Sequence, residues 1–366
     1  MYIGTMGFSK KEISIAVTIN TLSSLIGQNL IGYLVDKLKK IKLIFIICIS
    51  MGIVVALGLS LANYTWQIYI LIAIWGFFLY GTVPLSEAWC IELLKINNQQ
   101  RNFGRIRGFG SVGYGLSGIF IGLYLQKLGW GFYPWYILVS VVLTLICVWN
   151  IKSVTFEYNK AEEEAVETKI SYKQALKEII KIKPIMTMIA IIFMYNFVLK
   201  GIYSYLGVMV ADYGGGPLSL GFTYFFDAAP EVITFFLAAP LLKKYKSQRL
   251  ILIAFFLQIV RLSLILVFNN ALAIIVLGIL SGFAFGLLAS AYKTYIYERA
   301  PEKYKASCMS LSESIIGFSA VISAPVFGFL FTFFGTRKTI FIGLIINFII
   351  VFFVMKNYLN SKIKTI

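Results

Sequence analysis

The chain contains no histidine, and its four cysteines, Cys48, Cys90, Cys147 and Cys308, fall singly inside apolar stretches. Without histidine there is no HExxH metal site and no serine with a histidine base, so these common hydrolytic arrangements are excluded. Scattered cysteines support neither a structural zinc site nor a disulfide framework, and they read as core packing. Charge is scarce: Asp, Glu, Lys and Arg together make up 13% of the chain, with 16 acidic residues against 33 basic ones. No glycine-rich loop follows a strand, which removes a nucleotide-binding reading and ATP as an energy source. The residue pattern points to neither an enzyme nor a cofactor.

Apolar length is what the chain has in abundance. Over 366 residues it is 59% hydrophobic with a mean hydropathy of +0.83, far beyond a soluble globule and in the range of a multi-span membrane protein. Eleven helical spans are read, at 12–34, 42–62, 67–91, 104–126, 132–151, 184–209, 217–241, 249–268, 271–295, 306–334 and 337–357. Each matches the ~20 residues needed to cross a bilayer as a helix, and the runs lack the alternation of a membrane barrel. The net charge of +17 is therefore a topology signal and not a nucleic-acid footprint. Basic residues crowd alternate connections, around Lys37–Lys42, Lys95–Arg105, Lys152–Lys183, Lys243–Arg249, Arg299–Lys305 and Lys356–Lys364. The positive-inside rule makes that side cytoplasmic, in a plasma membrane, with the C-terminus on it. An odd number of spans then puts Met1 outside.

The fold class expected is an all-α polytopic helical bundle. One long connection, 152–183, divides an N-terminal bundle, 1–151, from a C-terminal bundle, 184–366. Its Glu162, Glu163, Glu164 and Glu167 read as a solvated linker, followed by an amphipathic segment near 170–182 on the membrane surface. The halves repeat each other: GYLVDKLKKIKLIFI, from Gly32, and APLLKKYKSQRLILI, from Ala239, each end a span, cross a short basic turn and open another. Repeated halves are a transporter signature, and five spans before the linker against six after it make the first visible span the second of its half.

The stretch Pro84–Tyr114 carries Glu87 in one span and Arg107 in the next. Charges at membrane depth are costly and mark sites by default. Two opposite charges on neighbouring spans can grip a polar solute, or they can form a structural ion pair. Lys200, Asp227, Glu231, Arg261, Lys293 and Glu313 also lie inside spans and are expected to share one aqueous cavity with that pair. Asp227 and Glu231 stand four apart on one helix face with Pro230 between them, which makes them candidate proton carriers with Lys200 or Arg261 as partners. Glycines four apart, Gly104 and Gly108, Gly118 and Gly122, and Gly278, Gly282 and Gly286, read as close helix contacts. Trp66, Trp130 and Trp135 fit membrane-interface anchors, while Tyr80, Trp89 and Tyr114 are candidates for stacking on a ring.

Gly32, Asp36, Lys37 and Lys40 resemble the cytoplasmic loop motif of the major facilitator superfamily, with Lys39 in place of its usual glycine. Pro84, Glu87, Ala88, Glu92, Gly104, Arg105, Arg107, Gly110 and Gly113 are similar to lactose permease and the related oligosaccharide and nucleoside proton symporters. The resemblance implies that Glu87 and Arg107 bind solute and that Tyr114, where lactose permease has a tryptophan, stacks on its ring. Glu231 is similar in placement to an intramembrane glutamate of the nucleoside symporters, and Arg261 resembles an arginine that the sugar symporter uses in proton coupling. The span ILSGFAFGLLASAYK lacks the histidine and glutamate found there in lactose permease, so that coupling arrangement does not transfer whole. The expected partners are a small polar solute, protons and the lipid bilayer, with no nucleic acid, no cofactor and no metal, and the expected state is a monomer. The reading is a proton-coupled secondary transporter of a sugar-like or nucleoside-like solute. An exporter of amphipathic compounds and a non-transporting sensor or scaffold are the alternatives.

Overall fold

A computed structural model describes residues 1–97, 99, 103–153, 172–301 and 305–363. Among the described residues there is no strand. After a single turn at Tyr2–Thr5, the α-helices are α1 Lys10–Leu38, α2 Ile41–Leu61, α3 Thr65–Ile74, α4 Thr82–Ile96, α5 Phe103–Leu128, α6 Tyr133–Trp149, α7 Tyr172–Lys181, α8 Lys183–Ser204, α9 Leu206–Asp212, α10 Pro217–Lys244, α11 Ser247–Phe268, α12 Ala271–Arg299 and α13 Lys305–Ile363. Nine candidate membrane spans are found among the described residues, with Leu311–Met355 taken as one. That stretch is two passes, because Gly335 inside α13 turns to φ 73°, a left-handed conformation that glycine adopts without steric cost. Helix α1 is not among the nine. It is diluted by Ser14, Thr18, Asn20, Thr21 and Asn29, several of which bond back into their own helix: Thr18 to the Ser14 carbonyl, Thr21 to that of Val17 and Asn29 to that of Leu25. Such back-bonding satisfies polar side chains without water. Dividing α13 makes ten, and α1 lies where the first of the eleven expected spans, 12–34, is read.

The chain forms two compact units. One comprises Tyr2–Phe103 and Lys127–Lys169. Its core joins α1, α2, α4 and α6 through Ile31, Ile41, Phe45, Cys48, Trp89 and Val141. A capping box opens α1, in which the Glu12 amide donates to Ser9 Oγ and the Ser9 amide donates to the Glu12 carboxylate. At the other end of α1, Lys39 has φ 55° and its amide donates to the Val35 carbonyl. This left-handed position accounts physically for the glycine usual in the loop motif, since a side chain there carries a steric cost. Lys42 Nζ donates to the carbonyls of Trp149 and Ile151 at 2.8 and 2.6 Å, a cation at a helix C-terminus where the dipole favours it. The span containing Glu87 is interrupted by a π-helical turn at Trp75–Leu79. Pro84 cannot donate to the Tyr80 carbonyl, and the Val83 amide takes it instead at 3.3 Å.

The other unit comprises Met1, Gly104–Gln126 and Ile170–Ile366, so α5 packs with the later helices. Its core runs through α8, α11, α12 and α13 and includes Ile185, Ile192, Phe255, Leu288, Cys308 and Val354. The amphipathic segment expected on the membrane surface is helical as α7. Its Ile179 is fully buried in this same core, while Ile180 is 58% exposed. The acidic run Glu162–Glu167 lies outside the described residues. The single span expected at 184–209 breaks at Tyr205, whose hydroxyl donates to the Ala324 carbonyl at 2.8 Å, and continues as α9.

Candidate functional site

Helix α10 carries Asp227, Pro230 and Glu231 and is held between two glycine seams. Along α5, a Cβ at Gly118 would stand 3.1 Å from the Gly221 carbonyl oxygen, and one at Gly122 would stand 2.9 Å from Leu218 Cα. On its other side, a Cβ at Gly282 of α12 would collide with the Asp227 carbonyl oxygen and meet Pro230 Cδ at 3.2 Å. Only glycine lets these backbones approach so closely, as the four-residue spacing predicted. The seam with α5 is tightest at the Gly118–Gly122 end. At Gly108 the neighbours are side chains, the nearest being Phe236 at 3.5 Å.

This packing aligns a row of polar side chains across four helices. Arg107 Nη1 donates to Ser111 Oγ at 3.4 Å, and the Ser111 hydroxyl donates to Glu231 Oε1 at 3.3 Å. Both are long for hydrogen bonds, so the contact is loose. Lys200 of α8 lies within electrostatic reach of Asp227 and Glu231 and 5.9 Å from the centre of the Phe285 ring. Arg261 of α11, 2% exposed, is within reach of Asp227. Each carboxylate therefore has cations on more than one side, Arg107 and Lys200 for Glu231 and Lys200 and Arg261 for Asp227. The unfavourable mutual repulsion of two carboxylates on one face is offset by this arrangement.

One helical turn from the row sits a layer of tyrosines. Tyr114 follows Ser111 by three residues, Tyr203 follows Lys200 by three and Tyr224 precedes Asp227 by three. The hydroxyls of Tyr114 and Tyr203 are 3.2 Å apart. The Tyr224 ring lies edge-on to Tyr114 at 5.6 Å and tilted to Tyr203 at 6.2 Å. Tyr114 is half exposed, at 48%. Sequence reasoning found Tyr114 but missed Ser111, Tyr203 and Tyr224. Their one-turn spacing from a charged residue on the same helix was the available signal, but it does not say which helices meet.

The other expected residues are placed differently. Glu87 is half-buried on α4, in the other compact unit. Trp89, a candidate for ring stacking, is 4% exposed, packs edge-on against Phe45 at 5.7 Å and donates its indole N–H to the Lys152 carbonyl. It is a core residue. Lys293 and Glu313, expected in the common cavity, form their own ion pair at 3.0 Å, and Glu313 also accepts from the Tyr292 hydroxyl. Lys293 is eleven residues beyond Gly282 on α12, roughly 16 Å along the helix from the contact with Asp227.

Comparison with known proteins agrees with this architecture. The chain is 21% identical over 308 residues to the uncharacterized transporter YwbF of Bacillus subtilis (strain 168), covering 84% of this chain and 74% of that protein. Among solved structures it resembles the nucleoside transporter NupG, with a TM-score of 0.73, 15% identity and coverage of 98% of this chain and 93% of that one. A mutant of NupG gives a TM-score of 0.79 at 14% identity, covering 97% and 93%. At these identities the structural likeness speaks for the fold alone: a multi-pass helical bundle of the major facilitator type. Residues 1–342 match the MFS_1 like family, and the protein belongs to that family.

Proposed function

We propose that the protein is a proton-coupled secondary transporter that moves a small polar solute of the sugar or nucleoside class by alternating access. The observation that carries the reading is the row from Arg107 through Ser111 to Glu231, continued by Lys200, Asp227 and Arg261 inside membrane-spanning helices. Such groups are costly in lipid and are kept where a polar solute or an ion passes. In this reading Arg107 and Glu87 bind solute hydroxyls, and Tyr114 supplies an aromatic face. Glu231 carries the proton, with Asp227 and Arg261 completing the coupling group. The loose Arg107–Ser111–Glu231 contact supports it, because a solute hydroxyl or a proton can displace long hydrogen bonds at little cost. Rocking of two bundles, 1–151 and 184–366 joined by 152–183, gives alternating access. The protein acts as a monomer in the plasma membrane with a cytoplasmic C-terminus.

The test is uptake into proteoliposomes under an imposed proton gradient, with labelled nucleosides and oligosaccharides offered separately. Accumulation of either class, abolished by a protonophore, is the expected result; equal uptake with and without the gradient would remove proton coupling. Orientation is tested by thiol labelling in intact cells. The thiol of Lys246→Cys should react only from the cytoplasm and that of Gly216→Cys only from outside.

A further inference from the structure

Beside the charged row, α8, α10 and α11 bring together buried polar groups of which the proposed transport reaction uses only Arg261 and Asp227. Tyr195, Gln258 and Arg261 are 1%, 0% and 2% exposed. The Tyr195 hydroxyl, both amide atoms of Gln258, Arg261 Nε and Asp227 Oδ1 are all buried without a hydrogen-bond partner from the protein. They belong to one place. Phe255, Gln258 and Arg261 succeed each other at three-residue steps along one face of α11. The Tyr195 ring stacks on Phe255 at 4.4 Å and 24°, while Tyr195 is also within electrostatic reach of Arg261. Tyr195 therefore borders the α11 face that carries Phe255, Gln258 and Arg261. Arg261 in turn reaches Asp227.

Buried polar atoms are nearly always partnered, and a cluster from three helices without partners calls for an occupant that both donates and accepts. Gln258 offers a donor and an acceptor, Tyr195 can act as either, Arg261 Nε donates and Asp227 Oδ1 accepts. A solute large enough to be the cargo would need an opening, whereas Tyr195, Gln258 and Arg261 are closed off almost completely. Water fits the mixed donor and acceptor set, since a polar site offering two to four partners holds water where an apolar one stays dry. We propose that Tyr195, Gln258, Arg261 and Asp227 enclose a buried hydration site whose water ties the Gln258 amide and the Tyr195 hydroxyl to the Arg261–Asp227 pair. Gln258 is then a positioning residue that holds the guanidinium on the carboxylate. This role rests on the coupling function proposed for Asp227 and Arg261, while the existence of the site does not.

The site is tested by thiol chemistry in a background with Cys48, Cys90, Cys147 and Cys308 replaced by alanine. Water can exchange a thiol proton inside a closed site that no larger reagent enters, so in D2O the S–H of Gln258→Cys should exchange to S–D at least ten times faster than that of Leu262→Cys, an equally buried position on the same helix. Equal rates would overturn the site. Gln258→Leu supplies a second measurement. If the amide is dry and unpartnered, leucine should raise the melting temperature by about 2 °C or more, which would also overturn the proposal; a fall is expected. The positioning role predicts that Gln258→Leu loses at least tenfold in proton-driven accumulation while solute exchange stays within twofold of the parent. Unchanged accumulation would refute the role. Parent accumulation that survives a protonophore would instead refute the coupling reading, and the thiol rates would still decide the site.

Discussion

Two groups of intramembrane charge in the same unit are built on opposite plans. Lys293 and Glu313 meet directly at 3.0 Å with the Tyr292 hydroxyl as a third member, and both are about half exposed. Ser111 stands between Arg107 and Glu231 with contacts of 3.4 and 3.3 Å, and Asp227 and Arg261 each keep a buried atom without a hydrogen-bond partner from the protein. The first group is short, local and complete, as a lock between α12 and α13 should be. The second spreads over four helices and leaves hydrogen-bonding capacity unused, as expected where partners change during a transport cycle. Charge inside a span is therefore not sufficient to mark the proposed working site; the state of its partners distinguishes the two groups.

The strongest break of this contrast comes at Glu231. Glu231→Gln keeps size and hydrogen bonding but removes the titrating group, and it should abolish accumulation against a gradient while leaving solute exchange measurable. Normal accumulation by the variant would place coupling elsewhere. Next in size is Arg107→Lys, which keeps the charge and loses the planar two-pronged donor. Uptake should fall about tenfold, equivalent to about 1.4 kcal/mol, and solute protection of the thiol of Tyr114→Cys should be lost in that background. Retained protection with normal uptake would reduce Arg107 to packing.

The glycine seam should respond less sharply to a change of size. Gly122→Ala places a methyl group against Leu218 and the Pro217 carbonyl, and uptake should drop severalfold with expression retained. Gly113→Ala, on the same helix with nothing within 4 Å of the added carbon, should be neutral. An equal loss at both positions would show that helix composition and not the seam is at stake. The smallest effect is predicted for the lock. A half-exposed ion pair contributes only about 0–1 kcal/mol, so the double variant Lys293→Met with Glu313→Gln should transport within about twofold of the parent. A tenfold loss would move that pair into the working site and erase the distinction.

Much of this arrangement is legible within single helices. Hydropathy runs placed the passes, the four-residue glycine spacing marked the seams on both sides of α10, and the three-residue steps of Phe255, Gln258 and Arg261 follow from helical geometry. Even the departure at Lys39 acquires a physical meaning, since the backbone there is left-handed. What the chain did not disclose is how the helices are rotated and set against one another. The same intramembrane lysine reads identically in sequence at 200, where it reaches two carboxylates, and at 293, where it is locked to one glutamate. Trp89 looks like a ring-stacking residue until Phe45 and the Lys152 carbonyl enclose it.

Sequence by itself determined the apolar helical runs, their separation by basic turns and the residues able to bear charge in the membrane, because each depends on the solvent a segment requires and on the 3.6-residue period of its own helix. Tertiary structure alone decided that Ser111 bridges Arg107 to Glu231, that three tyrosines form one layer, that Ile179 is covered by protein and that Gln258 is enclosed without a partner. These depend on register and rotation between helices far apart in the chain, which close packing sets and no periodicity within one helix encodes.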